Sequence, residues 1–487
     1  VRLSRETAAT LPDTVARPPY DRSAARRGVV HFGIGAFHRA HQAVVFDDAL
    51  AAGDLRWGIT GVSLRSAGVR DQLAPQDGLY TVLVRDGAAT AMRLVGSVHE
   101  VLVAPENPAA VIAALAAPDT HIVTLTITEK GYKLDRATGS LVTGDADVAR
   151  DVASLAAPVT APGFIVAGLA ARRAAGLPPF TVISCDNLPD NGLLLRGAVL
   201  AMARAHDAGL ADWIADHGAF PATMVDRIVP ATTADDVAAL ATQLGVEDAA
   251  MVKTEPFTQW VIEDHFAGPR PDFATLGVQL TADVAPWEAA KLRLLNGAHS
   301  GIAYLGGLAG LDFVHQVVAL PAGRGFVEAL WDEAAPTLSP PPGLDVPAYR
   351  DALMARFANP ALQHRTRQIA MDGSQKLPQR LLAPIADRRA AGLPVDALAL
   401  AVAAWMRWQR GVADDGGRFT VDDPLAAATA AALRDDAAAT VAALMAIAAI
   451  FPPALAVDAG LRDLLTRQLA MLEQDGAAAA LATFQRN

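Results

Sequence analysis

The run Lys291-Leu-Arg-Leu-Leu-Asn296-Gly-Ala-His299 places an amine, an amide and an imidazole on what reads as one helix, with Glu288 a turn upstream. At about 100° per residue these four side chains fall within an arc of roughly 140°. A proton acceptor and carbonyl-polarising donors aimed at one space can interconvert an alcohol and a ketone without a metal. A single lysine on an amphipathic helix is ordinarily solvated surface, and Asn-Gly-Ala-His also has the make-up of a small-residue packing seam. The weight given to Lys291 therefore depends on a second motif near the N-terminus.

That motif is Gly33-Ile34-Gly35-Ala36-Phe37-His38-Arg39, which follows a predicted strand and opens a predicted helix. Gly33 permits the tight turn, and Gly35 lets backbone N–H groups approach a pyrophosphate at the positive helix end. Ile34, Ala36 and Phe37 complete the expected cofactor-binding turn, and Arg39 on the first helical turn is a candidate phosphate contact. His38 stands where the third glycine of the usual fingerprint belongs, so the turn alone is weak evidence. His31, His38 and His41 lack a further or acidic ligand at metal-site spacing, so no metal is expected and packing or phosphate-neighbour roles are favoured. The second strand ends in Ser63-Leu-Arg65-Ser66, without the acid that selects a ribose diol. Arg65, Ser66 and Arg70 are candidates for a 2′-phosphate, which leaves NAD and NADP both open as cofactor.

These residues need a scaffold. A chain of 487 residues exceeds what one core usually organises. Its 52% hydrophobic and 19% charged composition is that of a globular body, and a net charge of −11 disfavours non-specific nucleic-acid binding. Cys185 is the only cysteine, which excludes an intrachain disulfide and a cysteine zinc site and suits a reducing, cytoplasmic setting. No apolar run reaches membrane-spanning length and the first residues lack a secretory core, so no membrane partner is expected.

Residues 1–20, with Pro12, Pro18 and Pro19, read as an arm. Strands over 28–33, 57–64, 121–126 and 180–185 alternate with helices over 37–51, 108–115, 163–175 and from 192, with a hairpin around Asp86-Gly87. Such alternation predicts a mostly parallel sheet covered on both faces. Beyond 283, helical periodicities over 287–308, 325–331, 349–357, 395–410 and 425–450 take over, the last a packed helix pair. The expected fold is α/β: a Rossmann-type dinucleotide-binding domain over 1–284, a mainly α-helical substrate-binding and catalytic domain over 285–487, and the site in the cleft joining them. A monomer and a small homo-oligomer fit equally.

Several further motifs run in order along the chain: Val30-His-Phe-Gly-Ile-Gly-Ala-Phe-His-Arg-Ala-His-Gln42, Thr126-Ile-Thr-Glu-Lys-Gly-Tyr132, Ser184-Cys-Asp-Asn187, Met224-Val-Asp-Arg-Ile228, Glu255-Pro-Phe257 and Gln259-Trp-Val-Ile-Glu-Asp264, followed by the Lys291 to Asn296 run. Together they resemble the mannitol dehydrogenase family, the polyol-specific long-chain dehydrogenases/reductases, over nearly the whole chain. Gln368-Ile-Ala-Met-Asp-Gly-Ser-Gln-Lys-Leu-Pro-Gln-Arg380 is more similar to the fructuronate reductase (D-mannonate oxidoreductase) branch. The resemblance implies a Rossmann-type N-terminal domain, a helical C-terminal domain, no metal and a catalytic lysine.

Roles follow from chemistry and resemblance together. Lys291 is expected as general acid/base; an ordinary lysine value near ~10.4 must fall, through burial and a positive nicotinamide ring, for its amine to accept a proton. Asn296 and Asn187 are expected as amide donors to the developing alkoxide, Asn187 being preferred to the more turn-like Asn191 on the family motif. His299 either bonds a substrate hydroxyl or packs. Glu288 is a proton exit or a plain i, i+3 partner. Asp226 orients substrate or holds Arg227. Thr128, Glu129 and Lys130 follow a sheet strand, where ribose and nicotinamide contacts gather; Thr128 and Glu129 are assigned to the cofactor.

A sugar acid also needs a cation for its carboxylate, and Lys376, Arg380 and Arg367, with Arg365 nearby, supply candidates. Helix-end capping or solvation accounts for any one of them as well. The reading preferred is an NAD(P)-dependent, metal-independent interconversion of D-fructuronate and D-mannonate. A mannitol or arabinitol dehydrogenase is the nearest rival, ahead of a tagaturonate reductase and a catalytically silent nucleotide sensor.

Overall fold

The strand Val29–Phe32 is buried along its whole length because its side chains feed two cores. Val29 packs with Phe46, Trp57 and Ile59 on one face, while Val30 and Phe32 pack with Val123, Leu125 and Phe164 on the other. The two-residue period of a strand makes both faces apolar only when both are covered. In the computed structural model, which describes residues 1–135 and 140–485, this strand centres the first of two units, Val1–Val284 and Ala285–Asn487.

Its five-stranded sheet is parallel throughout, in the order Thr181–Ser184, Ile122–Leu125, Val29–Phe32, Ile59–Ser63, Val98–Val103. The chain winds outward one way from Val29–Phe32 and then the other, the Rossmann arrangement. Its order reverses between Val29–Phe32 and Ile122–Leu125, and ligands of such sheets sit beyond the carboxyl ends of strands at that point. Those two strands lead directly into Gly33 and Thr126. A mixed sheet of Val15–Ala16, Ala89–Val95, Tyr80–Asp86 and Val252–Thr254, and a three-stranded sheet of Thr223–Asp226, Gln259–Glu263 and Gln279–Thr281, belong to the same unit.

Two expectations change here. The N-terminal residues are not an arm: Val15–Ala16 pairs with Met92 and Arg93, and Leu3, Leu11 and Val15 bury themselves with Leu79, Leu83 and Leu94. The helix expected over 37–51 is broken at His41 (φ −125°, ψ −90°) into Ala36–Ala40 and Gln42–Ala51. A tertiary bond overrides helix propensity there: His41 Nε2 lies 2.9 Å from Gln259 O, while its Nδ1 lies 3.0 Å from the adjacent Gln42 Nε2.

The second unit is helical. Ala285–Ala290, a π-helical turn Lys291–Asn296 and Gly297–Leu308 follow one another without a break. Every residue of Gly297–Leu308 is buried. A Cβ on Gly301 would lie 2.8 Å from the Phe326 ring and one on Gly307 2.7 Å from Trp408, so the seam of small residues is needed for packing. The i→i+5 turns of Lys291–Asn296 break the 100° spacing, and the arc computed for a regular α-helix does not hold. A second π-helical turn, Pro378–Leu382, passes the first closely enough that a Cβ on Gly297 would meet Arg380 O at 3.0 Å. The 425–450 stretch forms two helices, Ala426–Ala432 and Ala437–Met445.

Candidate functional site

Gly33 adopts φ +92°, and a Cβ there would stand 2.0 Å from Thr126 O, so only glycine fits the turn. Its carbonyl accepts from Thr126 Oγ1 at 2.7 Å. His31 braces both: its Nε2 lies 3.0 Å from Thr126 Oγ1 and 3.1 Å from Gly33 O, and its Nδ1 lies 2.7 Å from Thr124 Oγ1. Burial drives the His31 pKa down to about 3, so the ring is neutral. His38 stacks on it with centroids 3.3 Å apart and is held neutral by burial and by the neighbouring imidazole. A histidine thus fills the place of the third glycine by packing flat. The close approach of this turn to the sheet is provided instead by Gly61, where a Cβ would meet Ile34 at 2.7 Å.

Gly35 faces open space: an added Cβ would find only Gly33 O, at 3.8 Å. The first helical turn after it leaves the Ala36 and Phe37 N–H groups without intrahelical acceptors. This open cradle of backbone donors fits a dinucleotide's pyrophosphate. Arg39 does not serve it. Its guanidinium is buried, bonds to Gly35 O at 3.4 Å and to Ala250 O, and lies 5.7 Å from the Tyr80 ring centroid. An arginine on the inner face of the helix points into the core, a direction that its place on the first turn does not reveal. Arg70 is likewise committed, to Asp71 and Glu106, whereas Arg65 is exposed just beyond Ile59–Ser63.

Thr128 and Glu129 lie exposed beyond Ile122–Leu125. A residue to which the sequence pattern assigns no role holds their loop. The Asp186 carboxylate accepts from Ile127 N at 3.1 Å, Thr128 N at 2.9 Å and Tyr132 Oη at 2.6 Å. Burial raises its pKa, against these hydrogen bonds. Asn187 follows it, exposed. Asn191, expected as the turn residue, is buried instead: its Nδ2 donates to Asp186 O and Thr223 O, and its Oδ1 accepts from Thr223 N. Asp226 ends the strand Thr223–Asp226 and is buried. Arg227 directs its donors to the carbonyls of Ala40 and Glu255.

In the second unit Lys291 is 7% exposed, and Glu288, one turn earlier, is half-buried. Asn296 closes the π-helical turn. His299 packs 4.8 Å from the Phe357 ring and 5.0 Å from His364, and burial pushes its pKa well below the ordinary value. Its buried Nε2 has no hydrogen-bond partner, an orphan that a ligand hydroxyl would satisfy.

The four basic candidates separate. Arg365 and Arg367 are exposed over the rings of Phe313 and Phe419. Lys376 reaches back to Met371 O at 2.5 Å and Ile369 O at 3.4 Å, a capping role for the preceding short helix. Arg380 donates Nη1 to Asn296 O at 3.5 Å and to Ser300 Oγ at 3.3 Å, which leaves Nε and Nη2 available. Burial lowers its pKa to about 10, so it remains a cation at neutral pH.

Among the described residues no cluster of three or more His, Cys, Asp or Glu could hold a metal ion, and no helix is long and apolar enough to cross a membrane. Residues 27–275 match the mannitol dehydrogenase Rossmann domain and residues 283–472 the mannitol dehydrogenase C-terminal domain. The chain is 47% identical over 419 residues to D-mannonate oxidoreductase of Escherichia coli (strain K12), covering 85% of this chain and 86% of that protein. It is 44% identical over 433 residues to mannitol 2-dehydrogenase of Pyrenophora tritici-repentis, covering 87% and 76%. Pseudomonas fluorescens mannitol 2-dehydrogenase, solved as a ternary complex with NAD and D-mannitol, superposes with a TM-score of 0.82 at 39% identity, covering 99% of each chain. The chain belongs to the mannitol dehydrogenase family of oxidoreductases.

Proposed function

We propose that this oxidoreductase interconverts D-fructuronate and D-mannonate with a nicotinamide cofactor. The observation that carries the substrate assignment is Arg380, a largely buried cation with spare donors, bonded to the backbone of Asn296 in the segment that holds Lys291. A carboxylate is the natural partner of such a guanidinium, and a hexuronate has one where mannitol has none. The D-mannonate oxidoreductase relative supports the same choice.

Gly33, Ile34, Gly35, Ala36 and Phe37 would hold the pyrophosphate, Thr128 and Glu129 the nicotinamide side, and Arg65 a 2′-phosphate where NADP is used. When bound, the nicotinamide supplies the hydride acceptor for the carbinol carbon. Lys291 takes the hydroxyl proton in oxidation and returns it in reduction. Asn187 and Asn296 donate to the oxygen as it gains negative charge, and the orphaned His299 Nε2 bonds a neighbouring substrate hydroxyl. Glu288 passes the Lys291 proton outward, and Asp226 orients the sugar. A monomer and a small homo-oligomer are equally compatible with this scheme.

The test is steady-state turnover of mannonate, altronate, mannitol and arabinitol with NAD and NADP in parallel. Mannonate should be the preferred substrate. Activity on mannitol with none on mannonate would establish the second reading, a polyol dehydrogenase, which the Pseudomonas fluorescens and Pyrenophora tritici-repentis enzymes favour.

A further inference from the structure

Thr128 has φ +64° and ψ 165°, a region that essentially only glycine occupies. A β-branched residue persists there only when its surroundings hold it, and such outliers gather at ligand clamps. The Asp186 carboxylate is what holds it. Oδ1 accepts from the Thr128 N–H at 2.9 Å; Oδ2 accepts from Ile127 N–H at 3.1 Å and from the Tyr132 hydroxyl at 2.6 Å. Tyr132 Oη also bonds Ser184 Oγ. The backbone carbonyl of Asp186 takes Asn191 Nδ2 at 3.0 Å, and the same amide nitrogen donates to Thr223 O at 2.9 Å. One residue therefore ties together the carboxyl ends of Ile122–Leu125 and Thr181–Ser184 and, through Asn191, the start of Thr223–Asp226.

We infer that Asp186 is a positioning residue for the reaction: its carboxylate holds Thr128 in a glycine-like conformation so that the Thr128–Glu129 backbone meets the cofactor, and it sets the direction of Asn187. The inference rests on the nucleotide-binding role proposed for this loop. Asp186 touches neither substrate nor cofactor in this scheme. Two backbone N–H groups and a phenol already engage its oxygens, and it acts through the backbone at the adjacent carboxyl ends of Ile122–Leu125 and Thr181–Ser184.

Strain gives the test its discrimination. Asp186→Asn keeps the size but offers one acceptor oxygen and an NH₂ that faces N–H donors. Thr128→Gly removes the conformational penalty, because glycine adopts this φ without strain. NADH affinity should weaken about tenfold or more in Asp186→Asn, the order expected for losing a charge-assisted hydrogen bond that fixes the loop. In the Thr128→Gly background the same substitution should cost only about threefold or less, a coupling that a general loss of stability would not produce. KM for the nucleotide should rise more than kcat falls, and amide hydrogen exchange over 127–132 should quicken in Asp186→Asn. Equal effects of Asp186→Asn in both backgrounds would overturn the inference, as would unchanged NADH affinity alongside a lowered Tm. If Asp186→Asn does not fold, Tyr132→Phe removes one of the three donors and keeps the carboxylate. It should weaken NADH by about threefold with the fold intact, and unchanged affinity would refute the clamp. Wild-type protein that binds no NADH would instead refute the nucleotide reading itself, and the inference with it.

Discussion

Gly33 and Gly35 sit two residues apart in one turn, yet alanine at each should fail in opposite ways. At Gly33 the new methyl meets Thr126 O at 2.0 Å on a backbone with φ +92°. The left-handed backbone alone costs about 1–2 kcal/mol. Moving a carbonyl at the end of a buried strand brings the total to about 3 kcal/mol or more. For a unit the size of Val1–Val284, with an unfolding entropy of about 0.6 kcal/mol/K, that lowers Tm by roughly 5 °C or more. At Gly35 the backbone is extended (φ −78°, ψ −174°) and the nearest atom is 3.8 Å away. Alanine there gains up to about 1 kcal/mol by stiffening the unfolded chain and loses a similar or smaller amount as a poorer N-cap, so stability should barely move. Its methyl, however, would occupy the open space proposed for the approach of a pyrophosphate to the backbone. Losing one such charge-assisted hydrogen bond costs about 1.5–3 kcal/mol, which weakens NADH binding roughly 10- to 150-fold. Thermal unfolding and NADH fluorescence titration on both variants provide the assay. A Gly35→Ala protein that binds NADH like wild type would refute the placement of the cofactor at this turn.

Other outcomes follow from the same geometry. Arg380→Met should raise KM for mannonate by about 100-fold while Lys376→Met changes it by about threefold or less; the reverse order would move the carboxylate clamp to Lys376. Arg65→Ala should raise KM for NADP by about tenfold and leave that for NAD nearly unchanged, and equal changes would remove the 2′-phosphate contact. His31 and His38 are neutral when folded and ordinary when unfolded, so their contribution is complete above the ordinary value near 6.5 and is lost as pH falls toward the folded value, about 3 for His31. Each such group costs about 1.4 kcal/mol per pH unit in that window. His38→Phe retains the stack and removes two orphaned nitrogens. In urea unfolding it should lose about 2 kcal/mol less than wild type between pH 7 and 5, and an unchanged acid limb would contradict the buried pair.

What the sequence showed well was whatever local chemistry dictates. A strand ending in Gly33-Ile34-Gly35 places its turn without reference to the rest of the chain, and alternation of strands with helices implies a covered parallel sheet. The Asp86-Gly87 hairpin was legible for the same reason. Features set by distant partners were not. His41 breaks its helix because Gln259 lies 218 positions away, and Arg39 turns inward toward Ala250. Asn191 looks like a turn residue until Thr223 is beside it. The Lys291–Asn296 run was found by residue type, but its π-helical turn depends on packing that no periodicity encodes. Asp186 lies inside the Ser184–Asn187 motif, but its three donors come from another strand's loop, which residue type and spacing do not reveal.

The proposed proton transfer turns on Lys291. Lys291→Ala should bind NADH as wild type does and lose turnover by about 100- to 10,000-fold, the range for removing a general acid/base, with the pH dependence of the remaining rate flattened. A variant that keeps the wild-type rate and pH profile would show that another group moves the proton.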